Sequence, residues 1–432
     1  MCVNTCVGFT GPFADIEHCP ECGESRYDEK ELGESNGERK VPRKVFTTFP
    51  AGPQIQARWK HPKTAKDMFY RWERTQDLRQ ERTQPDDPLY IYDDILCGSA
   101  YLDLVDDGAI DEYDTVLMLS TDGAQLHEHK ESNCWIYIWI LVDLAPDKRY
   151  KIRSILPGGV IPGPHSPKNL DSFLLPGLAH ISALQHERLH IWDAHHQRRA
   201  CSDLFLLLVL ADSIGMGPLS GSVGHHGRKG CRLLCGFVGR NKAHGAHYYP
   251  ALLRPDGFEG HRTSAHPDVD VNTLPIPTPE TYQTDLFYVL SSQNETTFTK
   301  RRLNTGISKP SIFAGLPRIL PLPTCFVGDI MHQPLINMTE LFPDLWCARP
   351  DARDQDRFSD WPWAVLTGDT WKIHGKVVAN NAKYLPTSFG RAPRNPQEKI
   401  SSGYKAWEFL GYFYGQGPGV AYPHQSIQLQ QM

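Results

Sequence analysis

The stretch "LSTDGAQLHEHKESNCWIYIWILVDLAP" spans residues 119–146. Its two ends are rich in β-branched and aromatic residues and its middle is polar. It therefore reads as a strand, a turn and a second strong strand. Asp122 falls where the first strand ends, with Gly123 beside it. Two readings of that acid are open. It belongs to a β-turn, or it is a carboxylate held at the tip of a hydrophobic strand to bind a metal ion.

The flanks extend the pattern. "DTVLMLSTD" (114–122), "CWIYIWILVDL" (134–144) and "YKIRSILPGGV" (150–160) form three successive strands. Their short connections imply an antiparallel meander. "LDSFLLPGLAHISALQH" (170–186) follows as a helix with Asp171 as its cap. "RLHIWDA" (188–194) and "LFLLLVLADSIG" (204–215) read as strands, or as a strand and a buried helix. The order strand, strand, strand, helix, strand is the opening of a ribonuclease H-like domain, although other α/β domains also begin this way.

The chain has 432 residues, a soft prior for two or three domains. Its 35 glycines and 34 prolines exceed an average share of about 12%, so long loops are expected. The net charge of −5 offers no global electrostatic argument for nucleic acid. The longest apolar runs, Trp135–Val142 and Leu204–Ala211, are far short of the roughly 20 residues of a spanning helix. No membrane partner is expected, and the first residues do not read as a secretory signal. Residues 29–110 comprise a polar linker and a basic region. Within 39–82, twelve basic residues face four acidic ones, and Trp59, Phe69, Tyr70 and Trp72 interleave with them. "KTAKDMFYRWERTQDLRQERT" reads there as one helix.

Eleven cysteines, several at metal-type spacing, favour a reducing compartment. Cys2, Cys6, Cys19 and Cys22 form C-x3-C and C-x2-C pairs, and two close pairs of thiolates suit tetrahedral zinc. Residues 1–28 are thus expected to be a zinc knuckle. Cys231 and Cys235 lie among His225, His226, His244 and His247. Two of these histidines would complete a second zinc site, with His244 and His247 preferred. The same segment could instead be a basic glycine-rich loop whose cysteines pack inward.

Two-metal phosphoryl transfer needs carboxylates converging on a pair of Mg²⁺ ions. Asp122 is the first candidate and Asp212, at the end of another apolar run, the second. Asp193 competes with Asp212. Glu408, in "YKAWEFLGYF", is the candidate from a late helix. Taken singly, each acid is as readily a turn or cap residue.

At these positions the chain resembles the Plavaka-type transposases of fungi, in the CACTA (En/Spm-like) superfamily of DDE transposases. The matching stretches include "CVNTCVGFTGPFADIEHCPECGESRYD", "KVFTTFPAGPQIQARWKHPKTAKDMFYR", "LSTDGAQLHEHKESNCWIYIWILVDLAP", "IWDAHHQRRACSDLFLLLVLADSIGMGPLSGSVGHHGRKGCRLLCGFVGR" and "GDIMHQPLINMTELFPDLW". They cover most of the chain, and their order is more specific than any one of them. The resemblance implies a nuclear enzyme with a ribonuclease H-like core that cuts and rejoins DNA at transposon ends with Mg²⁺ or Mn²⁺. It leaves room for a homo-oligomer.

The resemblance assigns Asp122, in "TDG", as the first acid, favours Asp212 over Asp193, and makes Glu408 the third after a long insertion. Asp329 and His332 match a D-x-x-H element. The expected organisation is a core first part at 111–239, an insertion at 240–395, a last core helix at 396–420 and a polar tail at 421–432. DNA would be held by Arg58, Lys60, Lys63, Lys66 and Arg71, and by Arg228, Lys229, Arg232, Arg240 and Lys242, mainly through phosphates. Members of the family extend further at both ends, so a truncated or decayed copy is expected. The alternative is a non-catalytic, transposase-derived DNA- or chromatin-binding protein.

Overall fold

The computed structural model describes residues 1–82, 88–89, 91–125, 133–231, 233–241, 245–253, 268–348, 361–386 and 390–416. The chain divides into two compact units, Met1–Gly328 and Asp329–Met432. The division falls inside the stretch expected to be an insertion.

The first unit is built on a mixed five-stranded sheet, giving an α/β fold. Its strands are β1 (Thr47–Thr48), β2 (Thr115–Gln125), β3 (Asn133–Leu141), β4 (Leu156–Pro162) and β7 (Leu204–Leu210), in the order β1-β4-β3-β2-β7. β2, β3 and β4 form the expected antiparallel meander, and β7 lies parallel to β2. A separate hairpin of β5 (Leu189–Asp193) and β6 (Arg198–Ser202) precedes β7. Consecutive residues Val116–Leu119 of β2 and Leu204–Leu207 of β7 are all buried. Side chains alternate across a strand, so both faces of the central pair are covered.

Beyond β7 the chain adds one more edge. Leu206 and Val209 bridge in parallel to Ile319 and Phe326. Leu206 N–H donates to Arg318 O at 3.0 Å, and Val209 N–H to Cys325 O at 2.8 Å.

The basic region folds into the core rather than forming one exposed helix. It contains α1 (Ala51–Trp59), α2 (Pro62–Asp67) and α3 (Tyr70–Glu81), with a break at the buried Met68 and Phe69. Ile55, Trp59, Ala65 and Leu78 bury one stripe of these helices. α4 (Ser99–Asp106) follows, burying Tyr101, Leu102 and Val105. The long helix α5 (Asp171–Glu187) lies between β4 and β5, close to its expected span. Its cap position is Leu170, and Asp171 instead pairs with Lys309. Helix and sheet meet closely at Gly177, where an added Cβ would fall 2.5 Å from Tyr137 Oη. α6 (Ser213–Ser220) leaves β7 and ends at Gly221, whose φ is +73°. α7 (Pro279–Leu290) and α8 (Glu295–Thr305) follow.

The second unit contains α9 (Met338–Trp346), α10 (Asp369–Asn380) and α11 (Ala406–Phe409), with a core of Val378, Tyr404, Phe409 and Tyr412. Among the described residues, no helix is long and apolar enough to cross a membrane.

Candidate functional site

Asp122 is not in a turn. It lies inside β2, opposite Ile136 of β3, with three further residues of the strand after it. Its side chain is exposed, and Oδ1 accepts the N–H of Gly123 at 2.7 Å. A Cβ on Gly123 would meet Trp135 at 3.5 Å, an ordinary contact, so the glycine is not needed to leave room there.

Asp212 caps α6, and its Oδ1 accepts the N–H of Gly215 at 2.6 Å. The register relates the two acids. Ser120 of β2 is paired with Leu210 of β7, and the strands run in parallel. Two residues further along each chain stand Asp122 and Asp212. Asp122, still paired with β3, and Asp212, two residues past the end of β7, therefore follow the same register on neighbouring strands. Among the described residues, each carboxylate has one oxygen outside its backbone hydrogen bond.

Asp193 is elsewhere. It ends β5, is fully buried, and organises the hairpin turn. It accepts the N–H groups of His195 and His196 at 2.9 and 3.1 Å, the Tyr113 hydroxyl at 2.9 Å, and a contact from His196 Nδ1 at 2.7 Å. Burial pushes its pKa up, but His196 and the other donors outweigh it and hold the carboxyl below its usual range. Asp193 is a turn residue on the β5–β6 hairpin, outside the five-stranded sheet that carries Asp122.

Glu408 belongs to the second unit and is completely buried. Both of its oxygens bond to Arg394, from Nε and Nη2 at 2.6 Å each. It also accepts the N–H of Arg394 at 3.2 Å and of Lys405 at 3.0 Å. Burial raises its pKa, but Arg394 more than offsets this, so the carboxyl is held below its usual value. Asp329 and His332 also lie in this unit. Asp329 accepts the His332 N–H at 3.0 Å and contacts Nδ1, the arrangement of a helix start.

The four N-terminal cysteines do converge. Their sulfurs all lie within 4.8 Å of one another. Tetrahedral Zn–S bonds of about 2.3 Å would set sulfurs about 3.8 Å apart, and Cys2 and Cys22 are 3.5 Å apart. Two turns present the pairs. Thr5 N–H closes the first onto Cys2 O, and Gly23 N–H, with φ +77° at Gly23, closes the second onto Cys19 O. Burial and neighbouring thiols push Cys6 up to about 12. Burial also opposes ionisation of Cys22, yet donors from Glu24 and Asn4 bring it down to about 7. The cluster could hold a metal ion and is compatible with structural zinc.

It is also tied to the first unit's sheet and helix. Gly8 N–H donates to Ser172 Oγ at 2.8 Å, Asn169 N–H to Cys6 O at 2.9 Å, and Thr5 Oγ1 to Pro162 O at 3.3 Å.

Among the described residues this is the one group of three or more ligand-type side chains close enough to share a metal. Cys231 and Cys235 are adjacent, and burial raises the Cys235 thiol. The His226 and His247 rings stack at 4.5 Å. His244, Arg232 and Lys242 lie outside the described residues, as does the 421–432 tail.

The expected DNA-contacting residues separate by burial. Arg71 is a core residue, with no exposed surface. Its guanidinium bonds Asp143 at 2.7 Å and the carbonyls of Asp111 and Asp114 at 2.7 and 2.8 Å. Arg240 is buried and donates to Leu252 O at 2.8 Å. Arg58 donates to Arg153 O, and Arg228 to Asn304 Oδ1 at 3.1 Å. Lys229 is half-buried. Lys60, Lys63 and Lys66 are exposed. No family model matches the chain, and no curated protein matches it.

Proposed function

We propose that the first unit is a transposase-type core for metal-dependent cleavage and rejoining of DNA at transposon ends. The observation that carries the proposal is the parallel register of β2 and β7. Two acids, 90 residues apart in sequence, each stand two residues beyond its last pair, Ser120 with Leu210, on neighbouring strands. The succession of three antiparallel strands, a helix and a strand parallel to the first supports the finer reading of a ribonuclease H-like core.

Asp122 and Asp212 supply hard oxygens of the kind Mg²⁺ and Mn²⁺ prefer, and each is fixed by a backbone N–H. The bound metals would lower the pKa of an attacking water or 3′-hydroxyl and stabilise the leaving oxygen. The two carboxylates would hold them, and the exposed Lys60 after α1 and Lys63 and Lys66 of α2 would grip phosphates. The cysteine cluster is read as a structural zinc knuckle that braces the core.

The test is cleavage of plasmid and hairpin DNA with Mg²⁺ or Mn²⁺. The expected result is activity in the wild type and background levels in Asp122→Ala and Asp212→Ala. Wild-type protein that never cleaves, or an Asp212→Ala variant as active as wild type, would remove the catalytic reading.

A second reading has its own observation. Both oxygens of Glu408 are committed to Arg394, so the third acid is not free to ligate a metal. A non-catalytic, transposase-derived DNA-binding protein fits that arrangement. It is favoured if the chain binds DNA tightly with no cleavage in either metal.

A further inference from the structure

The β5–β6 hairpin carries a site that the acid pair does not use. Its register pairs His190 with Cys201 and Trp192 with Arg199. In β5, Leu189, Ile191 and Asp193 are buried, while His190 and Trp192 face out. Directly opposed residues share a face, so these four side chains form one outward patch. Gln56 and Lys60, four residues apart at the end of α1, close its side. The result is an open cavity of about 700 Å³ lined by Gln56, Lys60, Trp192, Arg199 and the His190–Cys201 pair. That volume is typical of a small-ligand pocket.

The walls are fixed. Gln56 Nε2 donates to His190 O at 2.8 Å, and Ala194 N–H to Trp59 O at 3.0 Å. The turn beyond is held by Asp193, as described above. The chemistry is one-sided. The lining has two cations, Lys60 and Arg199, and no carboxylate. Neither cation has an ion-pair partner among the described residues. Trp192 leaves 41% of its surface exposed between them. A bare indole beside two unpaired cations is what a base and its phosphate require. Lys63 and Lys66, three and six residues beyond Lys60 in sequence, are also exposed, on the next helix.

We propose that this cavity binds a nucleotide, with the base stacked on Trp192 and the phosphate held by Lys60 and Arg199. The adjoining lysines favour a nucleotide within a single strand over a free one. The site lies on the hairpin that leads into the start of β7, whereas Asp212 follows the other end of that strand. It deepens the DNA reading but needs none of the metal chemistry.

The experiment measures binding of a fluorescent fifteen-residue oligothymidylate to the full chain by anisotropy, across a salt series. Wild type is compared with Trp192→Leu, Trp192→Phe and the Lys60→Gln/Arg199→Gln pair. Trp192→Leu should weaken binding at least about 5-fold, with Trp192→Phe recovering most of the loss. The cation pair should lower the slope of log affinity against log salt by about 0.7, the share of the one single-strand phosphate they hold.

Competition with free thymidine monophosphate separates the sources. Displacement in wild type but not in Trp192→Leu assigns a free nucleotide. Its absence, with the oligonucleotide effects intact, assigns the strand. Equal affinities and slopes in all four proteins would overturn the proposal, as would Trp192→Phe binding no better than Trp192→Leu. The cation pair lies on the surface, so it keeps the test valid if Trp192→Leu unfolds. Oligonucleotide binding is read in EDTA and cleavage in Mg²⁺, so failure of the pocket and failure of the catalytic reading are distinguishable.

Discussion

At the residue scale, the sequence identifies chemistry but not partners. Asp122, Asp193, Asp212 and Glu408 are alike as letters, and only their surroundings separate them. Asp193 carried a legible signal, because an Asp followed by "AHHQ" can accept the N–H groups two and three residues on. Glu408 did not, because Arg394 lies outside its helix, and Arg71 did not, because Asp143 is 72 residues away. The Glu408 pair makes a pH prediction. Its carboxyl is held below the ordinary value of 4.5. The pair's stability is therefore present above that unfolded value and lost as pH falls through the lower folded one. Glu408→Gln should cost about 1–3 kcal/mol at neutral pH, with Arg394, half exposed, rehydrating readily. The difference from wild type should shrink below pH 4.5. Urea melts at pH 7 and pH 3 check it, and an equal gap at both values would contradict the assignment.

At the element scale, legibility followed the hydrophobic pattern. The β2–β3 pair and α5 are bounded by apolar runs, and their positions could be read within a few residues. The single helix expected across 63–83 is broken, because Met68 and Phe69 turn inward to the core. The β5–β6 pocket was missed, although the alternation in "RLHIWDA" already sent His190 and Trp192 to one face. The cysteine segment was legible because its spacing alone sets the ligand geometry. Its packing was not, since Ser172 and Asn169 lie far along the chain. Those contacts yield a prediction about folding as well as metal. Purified protein should carry about one zinc per chain. Cys6→Ser or Cys19→Ser should lose it and lower the melting temperature of the first unit, by about 2–4 °C for each kcal/mol lost. Elemental analysis and calorimetry report the two effects. Zinc near zero in wild type would remove the site.

At the scale of the whole molecule, the boundary between units follows from where the cores close. The large cluster reaches from Met1 to Phe326 and includes Phe313, Leu316, Leu320 and Cys325. Val378, Tyr404, Phe409 and Tyr412 form a different one. A boundary at residue 239 would therefore cut through a core, which sequence composition could not reveal, because the chain returns to the sheet only after 318. That return satisfies β7. Without it, Val209 N–H would lose its acceptor at Cys325 and Leu206 N–H its acceptor at Arg318. Unpaired N–H groups and a bared apolar edge strand favour aggregation. A chain ending at Gly328 should thus fold by itself, with one cooperative thermal transition. A chain ending at Leu316 should lose it, because Leu320, Cys325 and Phe326 leave the core together. Removing three such side chains costs about 1.5–3 kcal/mol for each of the larger two, a large part of a typical total of about 5–15 kcal/mol. Soluble yield and circular dichroism of the two fragments test this directly. Equal stability of both would mean that the 318–327 segment is not part of the first unit's core.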